Sequence, residues 1–203
     1  MKHTDDGFTL VELLVAVVII GIIMVPLSNL FIGFLRTDGT ASARLDESHD
    51  AQIGATYWAQ DVASIGIRQA YDPATKTFPL AQSVNVAFPC STPADSSTVA
   101  VLGWDELDSS GAATAVRVAY VTSGTSLIRL RCDGGTLQST ATLAHELDTA
   151  SPPTVVCSGS GGSSCTGSGS AVPQKITLTF SVKDSSGKGQ PYTLALAGQR
   201  RQS

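Results

Sequence analysis

Charge is the first thing this sequence has little of. Only 15% of its 203 residues are Asp, Glu, Lys or Arg, and 17 acidic against 13 basic residues give a formal charge of -4. A protein whose main task is neutralising nucleic-acid phosphates needs a basic excess, so the charge balance argues against that class. Aromatic residues are scarce, at 6%, which predicts a modest core for the length. The three histidines, His3, His49 and His145, are scattered and no C-x-x-C occurs, so no metal site is expected. His145-Glu146 opens a zinc-helix pattern that fails at Thr149, and Ser-Gly-Lys-Gly around Lys188 lacks the spacing of a phosphate loop. Asp105 to Asp108 reads as an acidic turn in which Leu107 breaks the calcium-loop spacing. No nucleophile, base and orienting acid assemble. The chain is expected to be no enzyme and to need no cofactor.

What the sequence does have is one long apolar run. From Leu13 to Leu35 no residue is charged, and only Ser28 and Asn29 are clearly polar. As a helix this run is roughly 35 Å long, enough to cross a hydrocarbon core of about 30 Å. A membrane span is therefore expected, with an orientation that the few flanking basic residues, Lys2 and Arg36, barely specify. Ala41-Ser42-Ala43 has the look of a signal-peptide cleavage site. A signal peptide, however, wants a positive n-region and a shorter apolar core, and here Glu12 stands directly before the run.

Gly7-Phe8-Thr9-Leu10-Val11-Glu12-Leu13-Leu14-Val15-Ala16 resembles the prepilin motif of type IV pilins and of type II secretion pseudopilins. The resemblance implies that a prepilin peptidase cuts between Gly7 and Phe8 and N-methylates Phe8. It makes residues 1–7 a leader peptide, although the leader carries a single Lys. Residues 8–35 become a transmembrane and assembly helix, with Glu12 as the fifth mature residue. A carboxylate at the edge of an apolar span costs free energy and is a functional candidate by default. Its plainer role is that of an interfacial carboxylate favoured by the helix dipole. Pairing with the Phe8 amine within the subunit or on a neighbour are both open on physical grounds, and the resemblance favours the intersubunit role.

After the span, Thr37 to Tyr71 reads as a continued amphipathic helix, with apolar Leu45, Ile53, Tyr57, Val62 and Ile65 and interspersed charges that include Asp61. Asp72-Pro73 is its expected stop, so the divisions are 36–72 for this helix and 73–203 for a disulfide-containing β domain. The strands expected there are Thr98–Trp104, Thr114–Thr122, Ser126–Cys132, Ala141–Ala144, Lys175–Val182 and Tyr192–Leu196. Alternation predicts Val116, Val118, Tyr120, Ile128, Leu130 and Cys132 on one face of the central hairpin. It places Arg117, Arg129 and Arg131 on the other, as a basic ligand patch or, more plainly, a solvated outer face. The fold class expected is α+β, a long helix on an antiparallel sheet, which is also the type IV pilin fold. The order of these signals resembles minor pilins of the W type and pseudopilins of the J type.

Cys90, Cys132, Cys157 and Cys165 all follow the span, so export predicts disulfides. Four cysteines allow three pairings. The flexible Gly/Ser segment between Cys157 and Cys165 favours that pair, with Cys90–Cys132 as the remainder. By resemblance, the expected protein is a minor pilin, anchored by a single pass in the plasma (inner) membrane and then built into or at the tip of an extracellular pilus-like filament. Its expected partners are the membrane, the prepilin peptidase/methyltransferase, other pilin subunits and an assembly platform protein; nothing in the sequence supports nucleic acid. The alternatives are a pseudopilin of a secretion or competence system and a single-pass surface binding protein.

Overall fold

The computed structural model describes residues 9–107, 109–159, 164–183 and 191–201, and of residues 35–48 the helical backbone alone. Helix α1 spans Leu10–Ser64. The chain forms two compact units, Met1–Arg44 and Leu45–Ser203, and each has its own physical logic.

In the first unit the helix is apolar on every side from Leu13 to Phe34. Leu10–Phe34 is long and apolar enough to cross a membrane, and its large side chains, Leu13, Ile20, Phe31 and Phe34 among them, are all exposed. A helix that is apolar all round needs an apolar environment from outside itself. Helical backbone continues through Pro26, whose ring forfeits one intrahelical hydrogen bond. One turn around it, the Ser28 hydroxyl donates to the Met24 carbonyl at 2.8 Å.

The second unit joins the end of α1 to antiparallel sheets. Two short strands, β1 (Ile67–Arg68) and β2 (Leu80–Ala81), pair with each other. A four-stranded meander follows: β3 (Ser96–Leu107), β4 (Ala113–Ser123), β5 (Ser126–Asp133) and β6 (Thr136–Ala144), in the order β3-β4-β5-β6. A three-stranded sheet closes the unit, with β7 (Thr154–Ser158), β8 (Lys175–Val182) and β9 (Tyr192–Gln199) in the order β7-β8-β9. The β5–β6 turn needs left-handed backbone at both Gly134 (φ +57°) and Gly135 (φ +90°), which glycine adopts without strain. Strand β8 alternates as its sequence predicts, with Ile176, Leu178, Phe180 and Val182 buried.

The helix does not reach Tyr71. It ends at Ser64, so the expected boundary at residue 72 is corrected. Beyond Ile65 the backbone is taken by the sheets: Gly66, at φ +146°, donates to the Gly103 carbonyl at 3.1 Å, and the Ile67 N–H donates to the Ser83 hydroxyl at 2.9 Å. Asp72-Pro73 instead opens a tight turn in which Asp72 carboxylate oxygens accept from the Ala74 N–H and the Thr75 hydroxyl. Asp105 to Leu107 lie in β3 rather than in an acidic turn.

One core cluster joins the helix end to both sheets. Trp58, Val62 and Ile65 are fully buried with Leu102, Val116, Val118 and Tyr120 of the larger sheet and Ile176, Leu178 and Phe180 of the smaller one. The Trp58 indole N–H donates to the Ile176 carbonyl at 3.2 Å, and its ring meets Tyr120 edge-on at 4.8 Å. At Gly198 the helix comes so close that an added Cβ would lie 2.5 Å from Val62 Cβ. The other face of the four-stranded sheet has its own cluster, in which Val101, Ala119, Val121 and Leu130 are covered by Val86 and Phe88.

Candidate functional site

At the N-terminal end of α1, Thr9 and Glu12 form a reciprocal cap. The Thr9 N–H donates to Glu12 Oε2 at 3.3 Å, the Thr9 hydroxyl donates to the same oxygen at 3.1 Å, and the Glu12 N–H donates to Thr9 Oγ1 at 3.3 Å. This is the capping-box arrangement, which satisfies backbone donors that the first helical turn leaves unpaired. The T-x-x-E spacing ahead of an apolar run announces it in the sequence, and the reading of Glu12 as an assembly residue passed over it. Gly7 and Phe8, the expected cleavage and methylation site, lie outside the described residues.

The basic patch on the central hairpin does not form. Pairing across the β4–β5 turn sets Ser123 opposite Ser126, and therefore Tyr120 opposite Arg129 and Val118 opposite Arg131. Directly opposed residues share a face, so even-numbered residues of β4 join odd-numbered residues of β5. Alternation within each strand is right, but the face assigned to β5 is reversed, because the turn fixes register and apolar residues cover both faces. Arg117 sits on the opposite face from Arg129 and Arg131.

Each arginine is also engaged within the fold. Arg129 is buried, its Nε and Nη2 donating to the two oxygens of Asp61 at 2.7 Å each, with Tyr57 under the guanidinium at 4.6 Å. The Tyr120 hydroxyl donates to Asp61 Oδ2 at 2.6 Å. Asp61, expected among the helix's solvent-side charges, is thus the buried centre of a helix–sheet clamp. Burial alone would pull the Arg129 guanidinium down, but the Asp61 carboxylate outweighs it and holds the group above its ordinary value. Burial, then the charge of Asp61, pushes the Tyr120 phenol well above its usual range. Arg131 is shared between Glu106 (2.9 Å) and Asp133 (3.0 Å). Arg117 donates to the carbonyls of Trp104 and Val116 at 3.0 and 2.7 Å.

Two disulfides staple the second unit, Cys90–Cys132 and Cys157–Cys165. The first ties the segment that carries Val86 and Phe88 to β5, and so holds the cover over the second cluster. Among the described residues no group of three His, Cys, Asp or Glu side chains stands where it could hold a metal ion.

A capped helix whose apolar stretch is long enough to cross a membrane, ahead of a disulfide-bonded antiparallel domain, fits a membrane-anchored precursor of α+β architecture. The family model described as the prokaryotic N-terminal methylation motif matches residues 2–28, and with it the chain's N-terminus supports the type IV pilin and pseudopilin family. That motif implies processing by a prepilin peptidase and assembly with pilin subunits. No curated protein and no solved structure matches the chain.

Proposed function

We propose that this protein is a minor pilin: cut after Gly7, N-methylated at Phe8, and assembled into or at the tip of a type IV pilus-like filament on the cell surface. The observation that carries the reading is the pairing of the methylation motif at residues 2–28 with a helix whose every face is apolar from Leu13 to Phe34. Such a surface is satisfied twice in the protein's life, first by lipid and then by the same helices of neighbouring subunits. The protein's role is structural; chemistry is done to it by the peptidase.

Glu12 is the residue that distinguishes the two environments. In a bundle of apolar helices an unpaired carboxylate is costly and a paired one is tolerated. The amine that cleavage creates on Phe8 of an adjacent subunit supplies the partner, and the pair sets axial register as each subunit docks. The size of the second unit and its two disulfides fit an exposed subunit specialised by its surface rather than the repeating shaft component. The assembly platform protein and the filament's other pilins are its partners in this reading.

Immunogold labelling and blots of sheared filaments test the proposal. Labelling at filament tips, or sparsely along shafts, is the expected result. Protein confined to the membrane fraction of cells that display filaments would point instead to a surface binding protein that merely uses the leader.

A further inference from the structure

A cleft of about 650 Å³ opens in the second unit between the Asp72 turn, β2 and the short 3-10 turn Gly169–Ala171, with Arg68, Phe78, Pro79, Ser170 and Arg200 on its walls. Arg200 is its unusual member. Its backbone is fixed, the N–H donating to the Gln174 carbonyl at 2.8 Å, while the next N–H, that of Arg201, donates to the Ala63 carbonyl at 3.2 Å. Two nitrogens of its side chain, Nε and Nη1, are buried and without a hydrogen-bond partner among the described residues. A buried cationic donor left unpaired is among the costlier features a fold carries, and the other arginines of this sheet system, Arg117, Arg129 and Arg131, are all engaged by oxygen acceptors. Burial draws the Arg200 guanidinium down from its ordinary value.

A carboxylate on the same cleft does not satisfy it. Asp72 lies on the same cleft, but its two oxygens are turned into their own loop by the Ala74 N–H at 2.9 Å and the Thr75 hydroxyl at 2.8 Å. Beside this charge stands an exposed apolar wall, the Phe78 ring packed on Tyr71 at 5.3 Å. Because Nε and Nη1 hold no hydrogen bond among the described residues, turning them toward an incoming anion breaks none of theirs. We propose that the cleft binds a carboxylate borne on a flat apolar group, with Arg200 as the charge anchor and Phe78 and Pro79 as the apolar wall. The planar guanidinium matches a carboxylate's two oxygens, which an ammonium does not.

The test is calorimetric titration of the full-length protein in detergent with benzoate, with its neutral analogue benzamide, and with N-acetylphenylalanine, whose carboxylate stands for a peptide C-terminus. Saturable binding of a carboxylate and none of benzamide is expected. Arg200→Gln should weaken that binding about tenfold or more, and Arg200→Lys should lie between. The tighter of the two acids assigns the source, free acid or peptide terminus. An unchanged melting temperature of unliganded Arg200→Gln separates lost binding from lost fold. No saturable binding of either acid to the wild type, equal binding by Arg200→Gln, or equal binding of benzamide would each overturn the proposal.

Discussion

Two carboxylates, Glu12 and Asp61, do the decisive work at the scale of single residues, and each sits where a helix meets something else. Glu12 has a local partner in Thr9 and, in the proposed filament, a distant one in the Phe8 amine. Glutamine serves in a capping box as glutamate does, so Glu12→Gln keeps the cap and removes the charge. Membrane insertion and cleavage should persist, while recovery in sheared filaments falls; Glu12→Asp should be intermediate. Paired blots of membrane and filament fractions read this, and normal incorporation of Glu12→Gln would show that the carboxylate only caps. Asp61 is the sterner case. With Arg129 and Tyr120 both committed to it, removing either charge strands the other in the core. Asp61→Ala or Arg129→Met should cost about 3–5 kcal/mol, seen as a drop of roughly 6–20 °C in melting temperature. The Tyr120 phenol has its folded value raised, so above about pH 10 the unfolded chain gives up a proton that the fold retains. The stability this contributes is full below that pH and is lost as pH rises further. Melting curves from neutral to alkaline pH should fall more shallowly for Tyr120→Phe; an identical fall would refute the coupling.

The elements show which parts of a fold a sequence reveals. The apolar run and the alternation of β8 were legible because each is a local pattern imposed by local physics. The faces of β4 and β5 were not, since register across a turn depends on the parity of the pairing and both faces of the sheet are covered. Nor was the end of α1: Pro73 is a strong local stop, but tertiary pairing of Gly66 and Ile67 with the sheets ended the helix first. Asp61 was hidden for the same reason, because a charge between apolar positions looks like a solvated face until its arginine arrives from a strand 68 residues away. Close packing at Gly198 gives this level its own prediction. Gly198→Ala pushes a methyl into Val62 and should cost about 1–3 kcal/mol in thermal melts; a neutral effect would mean that α1 and β9 separate easily. The disulfides differ by loop length, with separations of 42 and 8 residues. Chain-entropy arithmetic gives about 4 kcal/mol for the longer loop and about 2.5 kcal/mol for the shorter. Replacing Cys90 and Cys132 by Ala should therefore lower the melting temperature more than replacing Cys157 and Cys165, and the reverse order would contradict the entropic account.

The whole molecule comprises two units of opposite character. One is a helix with nothing to bury against itself; the other is a stapled α+β unit with a buried charge clamp and two apolar clusters. On the proposed reading, such a subunit waits in a membrane and is then drawn into a filament, and cleavage after Gly7 would commit it to that route. The most direct test is N-terminal mass spectrometry of the protein purified from cells that make the filament. The account predicts a chain that begins at Phe8 and carries N-methylphenylalanine, with Gly7→Val leaving the precursor uncut. A chain that still begins at Met1, or one that begins after Ala43, would contradict it.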